Sequence, residues 1–252
     1  MFISWFGSLF RIILVALILA VSTADGVSAD VDEAYHRAVV DAAFPDQEEI
    51  TSELIPVIRG NPQLVWNADK TKMLVSTWKS QSSYEQFFKP YNKTSENQNH
   101  VVWVTTVPQV RRLCAEMLAA NPKISKEAID LRLKQYLGLN PDWHYDIFID
   151  MWVDPADLFR PCVDPKIDDK SCNLHFGDNL PKVKNITDYR NFYEKLYYKS
   201  YRSSSGVPWT GLGYTYDWGN PESEVGASEY ILVPGASYEI KQAVPTVEYC
   251  KE

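Results

Sequence analysis

His144-Tyr145-Asp146-Ile147-Phe148-Ile149-Asp150-Met151-Trp152-Val153-Asp154 is the stretch on which the fold turns. Its alternation puts Tyr145, Ile147, Ile149, Met151 and Val153 on one face of an extended strand, and His144, Asp146, Phe148, Asp150, Trp152 and Asp154 on the other. A strand of this kind is half-buried and needs a sheet around it. Carboxylates at alternate positions stand about 7 Å apart, leaving room for a water between acid and base, as in an inverting glycoside hydrolase. His144, Asp146, Asp150 and Asp154 are therefore a candidate acid/base or cation-binding face. The alternative is a solvated outer face, with Trp152 covered by a neighbour.

Working outward, Lys72–Trp78 and His100–Thr106 read as further strands, and Gln63–Asn67 as a hairpin partner of the first across Ala68–Thr71. Tyr230–Val233 and Tyr238–Val244 read as two more around Pro234-Gly235-Ala236. Helical spacing marks Asp32–Phe44, a run from Pro108 to Ala120 capped by Thr106, Lys126–Leu137 capped by Ser125 and closed by Gly138, and Thr187–Tyr201. Glu48–Arg59 adds a turn or two of helix, and Asp154-Pro155-Ala156-Asp157 a helical turn. Ser80–Gln98 and Cys162–Leu180 read as loops. Irregular interleaving of helices and strands predicts an α+β fold, one mixed, mainly antiparallel sheet with flanking helices, in a single domain over residues 30–252.

Residues 1–29 read as an export signal: Arg11, an unbroken apolar run over Ile12–Val21, and small residues at Val27-Ser28-Ala29, with a second cut site after Ser22-Thr23-Ala24. The run is about half the roughly 20 residues of a membrane span. An uncleaved anchor reaching back through Arg11 is the alternative, at the cost of burying that arginine. The expectation is a secreted or periplasmic protein with no stable membrane span after cleavage. Its four cysteines are even in number, which in an oxidising compartment implies two disulfides. Three connectivities exist. Loop closure favours Cys162–Cys172 across a short loop, leaving Cys114–Cys250. No Cys-x-x-Cys occurs and no histidine stands at ligand spacing from a cysteine, so no zinc site is read. Asp164, Asp168 and Asp169 have a calcium loop's composition without its ligand order. Asn92 and Asn185 head glycosylation sequons, and Asn185-Ile186-Thr187 also reads as a helix start. A net charge of −8 without a Lys/Arg block argues against nucleic acid as a partner.

The second constellation lies near the C-terminus, from Tyr201-Arg202-Ser203-Ser204-Ser205-Gly206 through Pro208-Trp209-Thr210-Gly211-Leu212-Gly213-Tyr214-Thr215-Tyr216-Asp217-Trp218 to Val225-Gly226-Ala227-Ser228-Glu229. Glycines let a backbone approach a ligand, and Trp209, Tyr214 and Tyr216 with Arg202 and Asp217 suit a planar ring bearing a phosphate or carboxylate. The alternative is an aromatic corner that only packs. These segments resemble C-terminal domains of secreted bacterial polymorphic toxins, and Glu229-Tyr230-Ile231-Leu232-Val233-Pro234 resembles the glutamate-bearing strand of ADP-ribosyltransferases. That resemblance implies NAD as substrate, Glu229 as the catalytic acid and Arg202 as the phosphate contact. Glu229 is the one acidic residue where that family has two, and the resemblance covers about a fifth of the chain.

Three function classes emerge. One is a toxin-like or effector-like enzyme acting on NAD or another nucleotide. The second is a carbohydrate-binding or carbohydrate-active protein that uses its 8 Trp and 15 Tyr as stacking platforms. The third is a non-enzymatic envelope protein whose aromatic loops meet a protein partner.

Overall fold

The computed structural model describes residues 29–202 and 206–251. The leader reading over 1–28 and Ser203-Ser204-Ser205 lie outside the described residues. The first helix, α1, covers 29–41. Next come β1 (Met73–Lys79), α2 (Gln81–Phe87), β2 (Val102–Thr106), α3 (Gln109–Ala120), α4 (Lys126–Tyr136) and β3 (Ile147–Val153). After a 3₁₀ turn at Pro155–Asp157 come β4 (Leu158–Phe159), α5 (Tyr189–Arg202), β5 (Tyr214–Tyr216), β6 (Val225–Leu232), β7 (Tyr238–Pro245) and α6 (Thr246–Tyr249). The fold is α+β, as the pattern predicts. Its sheet runs β4-β6-β2-β1-β3-β7, with β5 added beside β6, and every pairing of these strands is antiparallel.

The register of the central strands is uneven. β1 pairs with β3 along its whole length, from Met73 opposite Val153 to Lys79 opposite Ile147. With β2 it makes only two rungs, Val75 opposite Thr106 and Ser76 opposite Thr105. β2 stays with β6 through four rungs, Val102 opposite Leu232 to Thr105 opposite Glu229. The last shared rung continues across five strands as Glu229, Thr105, Ser76, Asp150 and Gln242. Past it, β1 and β2 part.

Both faces of the sheet are covered. Met73, Val75, Ile147, Ile149, Met151 and Val153 form one core cluster together with Ile55, Val57 and Leu64. Phe148 and Trp78, on the other face of β3 and β1, join Val110 and Cys114 of α3, Ile129 and Leu133 of α4, and Tyr249 of α6. This corrects the solvated-face alternative at Phe148 and Asp150, while His144 and Asp154 at the two ends of the stretch are exposed. Asp150 is fully buried because helices, not water, cover that side. The alternation that reveals a strand cannot say what lies over its polar positions.

Local signals explain the helix ends. The Ala128 N–H donates to Ser125 Oγ at the start of α4. At its end Gly138, at φ +64°, and Leu139 donate back to the carbonyls of Gln135 and Lys134, the paired bonds of a Schellman turn. Other expectations are corrected. Glu48–Arg59 holds no helix, because its main chain is used elsewhere: the Leu54 and Val57 N–H groups donate to the Lys170 and Ile167 carbonyls. The Gln63–Asn67 strand shrinks to one bridge, Trp66 to Met73. The Ser80–Gln98 loop contains α2, whose Ser83 N–H is capped by Ser80 Oγ. Thr106 is a strand residue, and Pro108 stands at the N-cap of α3. Helix α5 starts from Asp188, which caps the Asn191 N–H, and not from Asn185, whose side-chain amide donates to the Pro234 carbonyl. β6 begins five residues before Tyr230, and its partners are β2, β4 and β5, not β7.

Two disulfides close the fold, Cys114–Cys250 and Cys162–Cys172. The first ties α3 to the end of α6, and the second closes the loop after β4. Aspartates in that loop are structural ties: Asp164 accepts from the Asn173 N–H at 2.7 Å and from its side-chain amide at 2.9 Å. The fully buried Arg160 pairs with Asp169 and also donates to the Ile55 and Asp169 carbonyls at 3.1 and 2.6 Å. Among the described residues no helix is long and apolar enough to cross a membrane.

Removing one member of a buried pair costs about 3–5 kcal/mol, and Asp169 is partly exposed, so Arg160→Met is expected at the low end, about 3 kcal/mol. Urea unfolding at pH 7 measures it, and a loss below about 1 kcal/mol contradicts a locking role for this guanidinium.

Candidate functional site

Where β1 and β2 part, the structure holds a cavity of about 580 Å³. Trp78 and Ser76 of β1, Trp103 and Thr105 of β2 and Glu229 of β6 contribute to its lining. Leu196, Lys199 and Ser200 of α5 and the 206–209 segment form one wall. The end of α4 at 137–139 forms another, with Trp143 and Tyr145. The aromatic groups are fixed by contacts with one another. Trp78 stacks on Tyr145 at 4.8 Å and on Phe148 at 5.3 Å, and its Nε1 donates to Thr246 Oγ1 at 2.9 Å. Trp103 meets Trp209 edge to face at 6.4 Å, and Trp209 packs on Tyr193 at 5.0 Å. Trp143, 38% exposed, stands at the mouth.

Hydroxyls hold the α5 side in place. Tyr35 of α1 donates to the Gly206 carbonyl at 3.0 Å, and the Tyr201 hydroxyl lies between the carbonyls of Ala42 and Trp209, which share its one proton. Gly226 sits where a Cβ would meet the Thr215 and Tyr136 carbonyl oxygens at 2.4 Å, so only glycine lets β6 pass under β5 and the end of α4 on its way to Glu229.

Two ionisable groups in this cavity have no ion-pair partner among the described residues. Glu229 is buried against the Trp209 indole, and burial pushes its carboxyl well above the usual carboxylate range, which favours the protonated acid. The indole alone favours the charged form, without a well-aligned bond: neither Trp209 Nε1 nor Glu229 Oε1 has a partner of good geometry. Lys79, the half-buried last residue of β1, also lines the cavity; desolvation lowers its pKa to about 8, and no described carboxylate offsets that. An uncharged carboxylic acid donates a hydrogen bond, and a desolvated ammonium attracts an anion.

The sequence-predicted residues divide. Glu229 and Trp209 meet in this cavity; Arg202, Tyr214, Tyr216 and Asp217 do not line it. Arg202 is exposed at the end of α5. Tyr214 is buried with its hydroxyl on the Glu49 carbonyl. Asp217 takes a two-point ion pair from Arg132 at 2.6 and 2.7 Å. Tyr216 and Asp217 instead border a more open depression of about 800 Å³ between α1 and 216–224. That trough is wider, but the tyrosine hydroxyl is spent on Asp41 and the aspartate on Arg132, so the smaller cavity carries the unspent chemistry.

The β3 face also separates. Asp150 accepts from Arg111 at 2.6 Å and Gln242 at 3.0 Å; burial raises its pKa and these partners oppose the shift. His144 is 76% exposed and pairs with Asp146 at 2.7 Å, while Asp154 caps the 3₁₀ turn. The four do not converge on one site. Sequence reading missed Lys79, Trp78, Trp103 and Trp143. The signal that could have found them was an isolated lysine ending an apolar strand and a tryptophan in each of two neighbouring strands. No family model, no curated protein and no solved structure matches the chain.

Between the ordinary carboxylate pKa and its raised folded value, the folded state keeps a proton on Glu229 that the unfolded state has released. Stability therefore falls as pH rises through that window. Glu229→Gln is expected to flatten this fall and to raise the melting temperature at pH 8, read from thermal unfolding between about pH 4.5 and 9. Identical pH profiles for variant and wild type would show that Glu229 is ionised in the fold.

Proposed function

We propose that this domain is a small-molecule-binding protein that matures in an oxidising compartment, with the β1/β2 cavity as its ligand site. The observation that carries the reading is the parting of two central strands to leave about 580 Å³ walled by tryptophans, within the range of small-ligand pockets. Flat side chains in fixed contact favour a flat or apolar ligand body, and Glu229, pushed by burial towards its protonated form, favours a hydrogen-bond acceptor on it. The two disulfides support export, since such bonds persist where thiols oxidise. Sugars stack on the same aromatic surfaces, so a monosaccharide or disaccharide belongs to this class of occupant.

Titration with indole, a flat aromatic dye and a panel of small sugars is expected to change the intrinsic tryptophan fluorescence saturably for at least one of them. Trp103→Ala and Trp209→Ala are each expected to weaken that binding about tenfold or more, the scale of one lost aromatic contact of roughly 1.4 kcal/mol. Absence of any saturable change across the panel overturns the reading.

A second reading keeps Glu229 as the acid of an enzyme acting on NAD or another nucleotide. It is favoured by the meeting of Glu229 with Trp209 in one cavity. It requires that Glu229 ionise on substrate binding, and it places the phosphate contact elsewhere than Arg202. On this reading the protein releases nicotinamide from NAD and Glu229→Gln stops the release with the fold intact. No release at high protein concentration removes it.

A further inference from the structure

The charges that line the cavity are one-sided. Its ionisable groups are Lys79, Lys199, Tyr145 and Glu229. Tyr145 stacks under Trp78 with its phenol pushed above the ordinary value by burial, so it is neutral. Burial pushes the Glu229 carboxyl the same way, towards its protonated form. Lys199 reaches the rim, 3.4 Å from the Asn99 carbonyl, and among the described residues no carboxylate is paired with Lys79. The chain carries a net charge of −8, yet the lining of this cavity holds two lysines and a single, buried carboxyl.

That contrast is specific to the site. Elsewhere the buried cations are matched: Arg160 by Asp169, Arg132 by Asp217 and Arg111 by Asp150. An ammonium left in an aromatic cavity without its own carboxylate is completed by a carboxylate that arrives with a ligand, because the attraction is strengthened where water is excluded. The apolar walls then set the remainder of the ligand.

We propose that the cavity selects a small organic monoanion, a flat aromatic or heteroaromatic body bearing a carboxylate, with the carboxylate set against Lys79 and the ring between the tryptophans. Within that arrangement Glu229 donates to an acceptor on the ring or its substituent. The inference rests on the binding reading above and adds the sign of the ligand's charge.

Three probes of one body test it: indole-3-acetate, indole-3-acetamide and tryptamine, an anion, a neutral amide and a cation, each titrated by calorimetry at pH 7. The anion is expected to bind at least about tenfold tighter than the amide, the scale of one charge-assisted hydrogen bond, and tryptamine weakest of the three. In Lys79→Met the anion-to-amide ratio is expected to collapse towards one. Lys199→Gln, at the rim, is expected to reduce the ratio less than Lys79→Met does. Equal affinities of the three probes, or a preference for tryptamine, overturn the charge selection while leaving a binding cavity in place. An anion preference that survives in Lys79→Met, with the variant's folding confirmed by its melting curve, overturns the role of Lys79. Failure of all three probes to bind overturns this inference, and the binding reading falls with it only if the wider panel of dye and sugars also fails.

Discussion

β1 cannot follow both of its neighbours. Seven rungs hold it to β3 and two hold it to β2, while β2 is carried away by four rungs to β6. Twisted antiparallel strands ordinarily stay in register to the end of the shorter one, because each unmade rung leaves main-chain groups to be satisfied otherwise. Here the sheet gives up rungs in its middle, and the opening is filled by tryptophan rings and not by more sheet. The helices take their places accordingly. α3, α4 and α6 pack behind the β1/β3 half, and α5 packs on the β4/β6 half through Phe159, Tyr189 and Phe192. The cavity is what remains between the two groups.

The treatment of buried charge follows the same division. Asp150 lies on the last common rung, separated from Glu229 by β1 and β2; burial raises the pKa of both carboxyls, but only Asp150 has a cation beside it. Asp150 has a guanidinium and an amide against it, and Arg111 in turn lies 4.6 Å over the Tyr249 ring. This is an ion pair that links α3 to β3, and its contacts oppose the desolvation of Asp150 without cancelling it. Glu229 has an indole and no cation. The buried arginines of the described fold are each set against a carboxylate, whereas an acid and an amine share one aromatic cavity with no ion pair among the described residues. Perturbed groups gathered in a cleft are pointers to a functional site.

Much of the scaffold is written in short-range pattern. The alternation of 144–154, the Ser125 cap and the Gly138 stop each act within one element, and each is found where its local rule puts it. The disulfide pairing is legible because loop closure is also a chain-local cost. What escapes is set by partners distant in sequence. The 49–66 segment spends its main chain on the loop after β4, so its own apolar spacing does not become a helix. Asp150 reads as solvent-facing because alternation says nothing of α3. At the site, Glu229 and Trp209 are legible as members of one Gly- and aromatic-rich stretch. Arg202 and Asp217 share that stretch and point elsewhere, since neighbours in sequence are not neighbours across a strand. Lys79, Trp78 and Trp103 become visible only through the register of β1 and β2.

The covalent ties stand away from the cavity. Cys114–Cys250 fixes the helices behind β3, and Cys162–Cys172 fixes the loop packed on Leu54, Leu212 and Tyr214. The wall made by α5 and 206–209 has no such bond. It is held by the hydroxyls of Tyr35, Tyr197 and Tyr201 on main-chain carbonyls of the opposite segment. Each such bond contributes about 1 kcal/mol net, against the several kcal/mol of a disulfide. Covalent constraint thus lies behind the sheet that carries Trp78 and Glu229, while the α5 wall facing them rests on packing and hydrogen bonds, the weaker class of tie.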